Sequence, residues 1–337
     1  MKPRRLMLLG LLALAATALL TMLVGRYSAD LPTVLKIIEL HLFHIPIPDD
    51  LVSADIVVWS VRLPRMLMAA MVGAALSASG AVLQGLFRNP LVSPDILGVS
   101  SGASFGAGLA ILLVGTSTLA VSFSAFAGGL LAVTLAYQIG RRGQNTITTL
   151  VLAGVIVSAL FSAALSFLKY VADPYEQLPA IVFWTMGGFN NIDWGDVGRS
   201  FPLVIGGLLL LYLFRWHLNL LALGEEEAMG LGVNVKKALP VFVVLATLVV
   251  AASISACGTI GWVGLVVPHM ARIMIGPDHK HLLPFSMIVG AVFMLLMDTL
   301  ARSITGAEIP ISIMTSLLGA PFLAYLLLRE QDKEWSS

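Results

Sequence analysis

The chain has 337 residues, 58% of them hydrophobic and only 12% charged, with a formal net charge of +1. An ordinary soluble domain carries about 25% charged residues, and a mean hydropathy of +0.93 excludes a water-soluble fold, which would leave too much apolar surface exposed. One cysteine, Cys257, excludes an intramolecular disulfide and a cysteine-based zinc site, and the net charge gives no indication of a nucleic-acid partner.

The chain opens with "MKPRRLMLLGLLALAATALLTMLVG". A basic start before an apolar run also suits a signal peptide. The run exceeds the 7–15 residues typical of one, and no small-residue cleavage site follows. It reads as a first transmembrane helix near 6–25. Crossing the hydrocarbon core takes about 20 apolar residues, and further spans are expected near 64–87, 95–114, 118–139, 147–169, 198–215, 238–257, 260–275, 282–303 and 309–328. The segment 178–190, "LPAIVFWTMGGFN", is too short to span and is expected to lie as a half-helix or an interfacial helix. These runs define an all-α polytopic membrane protein with about ten transmembrane helices, taken as a single transmembrane domain over 1–337.

Orientation follows from Lys and Arg. With the N-terminus inside, basic residues at 2, 4, 5, 88, 141, 142, 215, 236, 237, 272, 280, 329 and 333 fall on the cytoplasmic side. Those at 26, 36, 62, 65, 169, 199 and 302 fall outside. The bias of 13 against 7 predicts both termini in the cytoplasm. "SASGAV" at 77–82 and "SACGTI" at 255–260 form a short internal echo, with Pro90 and Pro268 at equal distances beyond them. The two copies sit in spans of opposite direction, as in inverted-topology repeats.

Several motifs invite a chemical reading. "RLPR" places Arg62 and Arg65 where the chain re-enters the membrane from outside, with Pro64 expected in the first turn of a helix. Interfacial snorkelling competes there with a receptor for carboxylates on another protein. "GVSSG" at 98–102 matches G-x-S-x-G, but a nucleophile at Ser100 needs a strand–turn–helix context and downstream partners. Small residues at this spacing instead favour close helix packing. "HLFH" (His41, His44) and "PDHKH" (Asp278, His279, His281) have ligand-like spacings without enough fixed partners for a metal site. Asp298 and Arg302 lie four apart on one helix face and can pair, and charges within spans are functional candidates by default.

Between two spans lies "LALGEEEAMGLGV". Gly224 followed by Glu225, Glu226 and Glu227 suits a helix start, where the dipole favours negative charge. Gly230 and Gly232 suit its closure, both being expected at positive φ. A short helix on the cytoplasmic face reads as a docking element, because no further polar residues converge there for catalysis. No G-x-x-x-x-G-K-[ST] occurs, so any ATP must be hydrolysed by a partner.

Together these stretches resemble the FecCD-type permeases of bacterial ABC importers for iron–siderophores, haem and vitamin B12. The resemblance runs from "RLPRMLMAAMVGAALSASGAVLQGLFRNPLVSPDILGVSSGA" through "WTMGGF", "LALGEEEAMGLGV" and "GTIGWVGLVVPHMARIMIGPDHKHLLP" to "EIPISIMTSLLGAPFLAYLL". It implies an inverted-repeat type II importer fold in the inner (plasma) membrane. It also implies a homodimer, two cytoplasmic ATPases that bind the ATP and Mg, and a periplasmic binding protein, with no cofactor in this chain. By resemblance, residues 221–235 hold the coupling helix, with Leu223, Gly224, Glu225, Glu226, Glu227, Ala228, Gly230 and Gly232 as its contact set. Arg62, Arg65 and Arg302 match arginines that meet acidic residues of the binding protein, and Asn89 and Leu91 with Asn145 and Thr146 match cytoplasmic gates. "WTMGGF" matches the part near the outer mouth. The triple glutamate is more acidic than the single acid usual there. A metal chelate is the expected substrate, with molybdate-type oxyanions or secondary transport as alternatives.

Overall fold

The computed structural model describes residues 3–25, 27, 29–142 and 147–334, and every regular element among them is helical. In chain order the α-helices are α1 (Pro3–Leu23), α2 (Leu31–Leu42), α3 (Val52–Asp55), α4 (Leu63–Leu86), α5 (Val99–Val114), α6 (Thr118–Arg142) and α7 (Ile147–Val171). There follow α8 (Gln177–Met186), α9 (Trp194–Leu223), α10 (Glu225–Gly230), α11 (Val235–Cys257), α12 (Val263–Ile275), α13 (His279–Ser303) and α14 (Ile311–Glu334).

Among the described residues, seven helical segments are long and apolar enough to cross a membrane, and they coincide with seven of the ten expected spans. The other three fall on the shorter apolar helices Val99–Val114, Val263–Ile275 and Ile311–Tyr325. The short 178–190 segment is the ten-residue α8, closed by Gly187 at φ 65. The chain is a multi-pass membrane protein. The face on which α1 begins is called proximal below, and the opposite face distal.

On the distal side one expectation changes and one helix is new. The second span does not start at Pro64: helical backbone runs unbroken from Asp49 to Leu86. Its stretch Ile56–Arg62 is wound as a π-helix. Proline at 64 cannot donate to residue 60 and crowds its carbonyl, and the wider π turn just before it accommodates both. Upstream, α2 is a helix that no run of 20 apolar residues announces. Asp30 caps it through Thr33 N–H at 3.2 Å, and Val34, Ile37 and Leu40 bury one face at helical spacing. His41 Nε2 meets Asp55 Oδ1 at 2.6 Å, and its ring stacks on Trp59 with centroids 3.9 Å apart. Those contacts hold α2 against α3 and the π turn.

The core is centred on α4, which is buried over nearly its whole length. It packs on α13, where Gly73 and Gly290 face each other so closely that a β-carbon on either would strike the other's carbonyl. Gly102 and Gly128 do the same between α5 and α6. Close approach through small residues is how membrane helices gain packing without a hydrophobic drive, so "GVSSGASFGAGLA" serves packing. Ser100 donates to the Asp95 carboxylate at the start of α5.

Candidate functional site

On the proximal face, α9 delivers the chain to α10 and α11. Gly224, at φ 133, breaks the helix between α9 and α10. A β-carbon there would strike the Glu227 carboxylate and lie 3.3 Å from the Arg88 guanidinium at the end of α4. The far end of α10 closes with Val233 N–H donating to Ala228 O at 3.0 Å and Gly232 N–H to Met229 O at 3.0 Å. That pair of bonds is a Schellman closure, which places its C′ residue in the left-handed region. Gly232 has φ 84 there. Gly230 does not share the requirement: it is the last residue of the helix, has no positive φ, and a β-carbon on it would meet open space. The expectation of two strained glycines is corrected to one, because the closing turn needs a single left-handed residue.

Ala228 is fully buried against the bundle, while Leu223, Glu226, Glu227, Met229 and Leu231 are exposed. Glu225 opens the helix. The surface thus offered is mixed, apolar and acidic, on a helix held by backbone bonds.

Six residues before α10, Asn219 ties α9 to the turn between α12 and α13. Its Nδ2 donates to Asp278 Oδ1 at 2.6 Å, and its Oδ1 accepts the His279 backbone N–H at 2.8 Å. Asp278 caps α13 through Lys280 N–H at 2.9 Å. Arg215 adds a bond to Lys280 O at 3.3 Å while its guanidinium sits 3.9 Å over the Tyr212 ring. The "PDHKH" motif is therefore a helix cap and clamp. Among the described residues no three His, Cys, Asp or Glu side chains converge as a metal site. Asn219 escapes the motif reading, since a lone amide inside "LNLLAL" belongs to no spacing pattern, and its signal is only that a polar side chain interrupts an apolar run.

Of the expected gate residues, Asn89 and Leu91 lie exposed on this face, with Asn89 Oδ1 accepting from Leu91 N–H at 2.9 Å. Asn145 and Thr146 lie outside the described residues.

On the distal face the three singled-out arginines come together, and they are buried: Arg62 is 5% exposed, Arg65 6% and Arg302 9%. Arg65 forks. Its Nε and Nη2 bind Asp298 at 2.8–3.1 Å, and its Nη1 binds both Glu308 oxygens at 3.0 and 2.9 Å. Arg62 donates to Met22 O at 2.6 Å and Arg302 to Thr21 O, both in the last turn of α1, and Arg62 also donates to Tyr27 O beyond it. Arg302 Nε stands 3.7 Å from Asp298, further than a hydrogen bond. Each guanidinium is thus engaged inside the chain, whereas residue type and position alone suggested outward-facing charges. Glu308 has no forecast from the sequence.

Beside this cluster a cavity of about 350 Å³ opens, lined among others by Trp184, Gly187, Asn190, Asn191, Asp196 and Glu308. "WTMGGF" forms one wall. Gly188 N–H donates to Cys257 O at 2.8 Å, Thr259 Oγ1 to Thr185 O at 2.6 Å, and Ile311 N–H to Gly187 O at 3.1 Å. These bonds knit α8, the loop before α12 and the start of α14 around one mouth.

An all-helical bundle with a mouth on one face and a short exposed helix on the other is the architecture of a membrane permease. The chain belongs to the FecCD transport family, which it matches over residues 10–329, and so is the transmembrane permease subunit of an ABC importer. It is 44% identical over 325 residues to the Molybdate import system permease protein MolB of Haemophilus influenzae, covering 94% of each chain. It is also 44% identical over 283 residues to the Cobalamin import system permease protein BtuC of Halobacterium salinarum, covering 84% of this chain and 75% of that one. A transporter described as metal-chelate type, solved in an inward-facing conformation, superimposes with a TM-score of 0.87 at 40% identity. That match covers 97% of this chain and 99% of the other.

Proposed function

We propose that this chain is the membrane half of an importer that carries a metal chelate of the iron–siderophore, haem or cobalamin kind from a binding protein at the distal face into the cytoplasm. The observation that carries this reading is α10, a short exposed helix whose geometry is fixed by Gly224 and Gly232. On this reading α10 docks into an ATPase, the proximal face is cytoplasmic, and ATP with Mg is bound by that partner alone. Two copies of the chain pair with two ATPases, and the exposed apolar residues of α7 and α14, such as Leu152, Val155, Leu160 and Leu317, face lipid or the second copy. Asn89, Leu91, Asn145 and Thr146 serve as the inner gate of a permease set in the inner (plasma) membrane, and Arg62, Arg65 and Arg302 underlie the docking surface for the binding protein.

A second substrate reading, a molybdate-type oxyanion, is favoured by the likeness to MolB along nearly the whole chain. Proteoliposomes holding the permease, its ATPase and its binding protein decide between them, using labelled ferric siderophore, haem, cobalamin and molybdate in parallel. Uptake should need ATP and continue when the membrane potential is collapsed by an ionophore. Uptake driven by the potential without ATP, or ATP hydrolysis by the purified permease alone, would overturn the importer reading.

A further inference from the structure

We propose that Glu308 is an internal stand-in for a carboxylate of the binding protein, and that docking exchanges one for the other on Arg65. This rests on the reading that the distal arginines receive the binding protein. Buried as Arg65 is, it has no surface to offer until something moves. Its two acceptors are unequal: the Asp298 side chain is 0% exposed and that of Glu308 29%. Asp298 is built into α13, whereas Glu308 sits in the non-helical stretch between α13 and α14. It also lines the cavity, so it is the group standing between Arg65 and the outside.

The charges point the same way. Among the described residues, the carboxylates paired with Arg65 and Arg302 are Asp298 and Glu308, Arg62 bonds only backbone carbonyls, and Arg302 Nε is buried with no hydrogen-bond partner. Counted over these five side chains, the cluster carries one positive charge more than its carboxylates neutralise. An incoming carboxylate that took the Nη1 edge of Arg65 would keep the forked, charge-assisted pair, the geometry for which arginine is suited. Glu308 would then be released into the mouth. Its neighbour Ile309 is held by a bond to Ala301 O, and Ile311 by a bond to Gly187 O in "WTMGGF". Exchange at Arg65 therefore removes the side-chain tether of the segment that closes one side of the mouth and leaves it on those two backbone bonds, so that binding-protein docking becomes linked to loosening it.

The test uses the permease–ATPase complex in nanodiscs and the substrate-free binding protein of the same transport system. Glu308→Gln should bind that protein about tenfold more tightly, the scale of trading a charge-assisted for a neutral hydrogen bond. Arg65→Lys keeps a charge against Asp298 but cannot fork, and should weaken docking about tenfold or more. In the Arg65→Lys background, Glu308→Gln should give no gain. If Arg65→Lys weakens docking and Glu308→Gln does not tighten it, the arginines dock but the exchange is wrong. A gain that persists in the Arg65→Lys background makes Glu308 a bystander charge and likewise overturns the exchange. If Arg65→Lys leaves affinity unchanged, the docking reading itself fails, and the exchange with it. A nitroxide on Ala307→Cys reads the same step with Glu308 intact, since Cys257 is buried and does not compete for the label. Docking should raise its mobility, and unchanged mobility overturns the proposal.

Discussion

The two ends of this molecule hold their charges in opposite ways. At the distal face the ionic side chains are desolvated, forked and shared among α1, the π turn, α4 and α13, with Asp298 fully buried. At the proximal face Glu226 and Glu227 stand in water, and what is fixed is the backbone beneath them, by Gly224 and Gly232. Removing one partner from a buried pair leaves an uncompensated charge, whereas an exposed charge contributes little to folding. The distal end should thus be fragile to single charge changes. The proximal end should tolerate charge changes structurally and register them in partner binding.

The largest effect is expected from Asp298→Ala. It strips Arg65 of its principal acceptor and leaves a buried guanidinium, at a cost of about 3–5 kcal/mol. Thermal melting of the detergent-solubilised permease should drop sharply, or folded protein should be lost. Melting within a few degrees of wild type would mean that water replaces the carboxylate, and the contrast between the two ends would collapse.

Next comes Gly232→Val. A β-branched residue at φ 84 costs on the order of 1–3 kcal/mol locally. Because α10 is a small surface element, the strain should distort that helix and leave the bundle standing. Co-purification with the ATPase should fall while the melting temperature moves little. Gly230→Val is the control and should bind the ATPase nearly as wild type, with open space around it. Equal losses in the two variants would place the requirement in side-chain bulk, not in the turn.

Glu226→Gln with Glu227→Gln should be smaller still in the fold, within about 0.5 kcal/mol as for surface substitutions generally. If acidic charge tunes the choice of ATPase, association of this double variant should lose salt dependence, because screening acts on exposed charges. A salt response identical to wild type removes the glutamates from the interface.

The sequence makes one end far more legible than the other, for a physical reason. The short helix α10 is local: a Gly, a run of acids and a Gly-x-Gly lie within a dozen residues, and so do the bonds they make. Only the φ of Gly230 escapes, since either glycine can supply the single left-handed residue. The arginine cluster is non-local. Arg65 meets Asp298 and Glu308 across 233 and 243 residues, whereas i,i+4 spacing singles out the Asp298–Arg302 pair, which stands at 3.7 Å. Spacing ranks only neighbours on one helix, so it names the right residues and the wrong principal partner. The same limit hides α2, whose twelve residues fall below the length that a membrane demands. Long spans are legible because lipid forbids unsatisfied backbone over the whole thickness of its core.

The smallest expected effect lies in the charge of Asp278, where the proximal clamp meets the start of α13. Burial alone would raise its pKa, but the Lys280 amide and the Asn219 side-chain amide favour the charged form and hold it below the ordinary 3.8. A carboxylate depressed in the folded state contributes stability that is present above its unfolded value and is lost as pH falls through the folded one. Its side chain is 49% exposed, so solvent screening limits this contribution to a few tenths of a kcal/mol. Asparagine caps a helix about as well as aspartate, whereas alanine forfeits about 1 kcal/mol. Asp278→Asn should therefore melt slightly below wild type at pH 7, and Asp278→Ala clearly below it. The gap between wild type and Asp278→Asn should close as pH falls below 3.8, where the wild-type carboxyl takes up its proton. A gap that stayed constant down to the acid limit would show that the clamp depends on hydrogen-bond shape alone, and that charge at the proximal end adds nothing even where it is best placed.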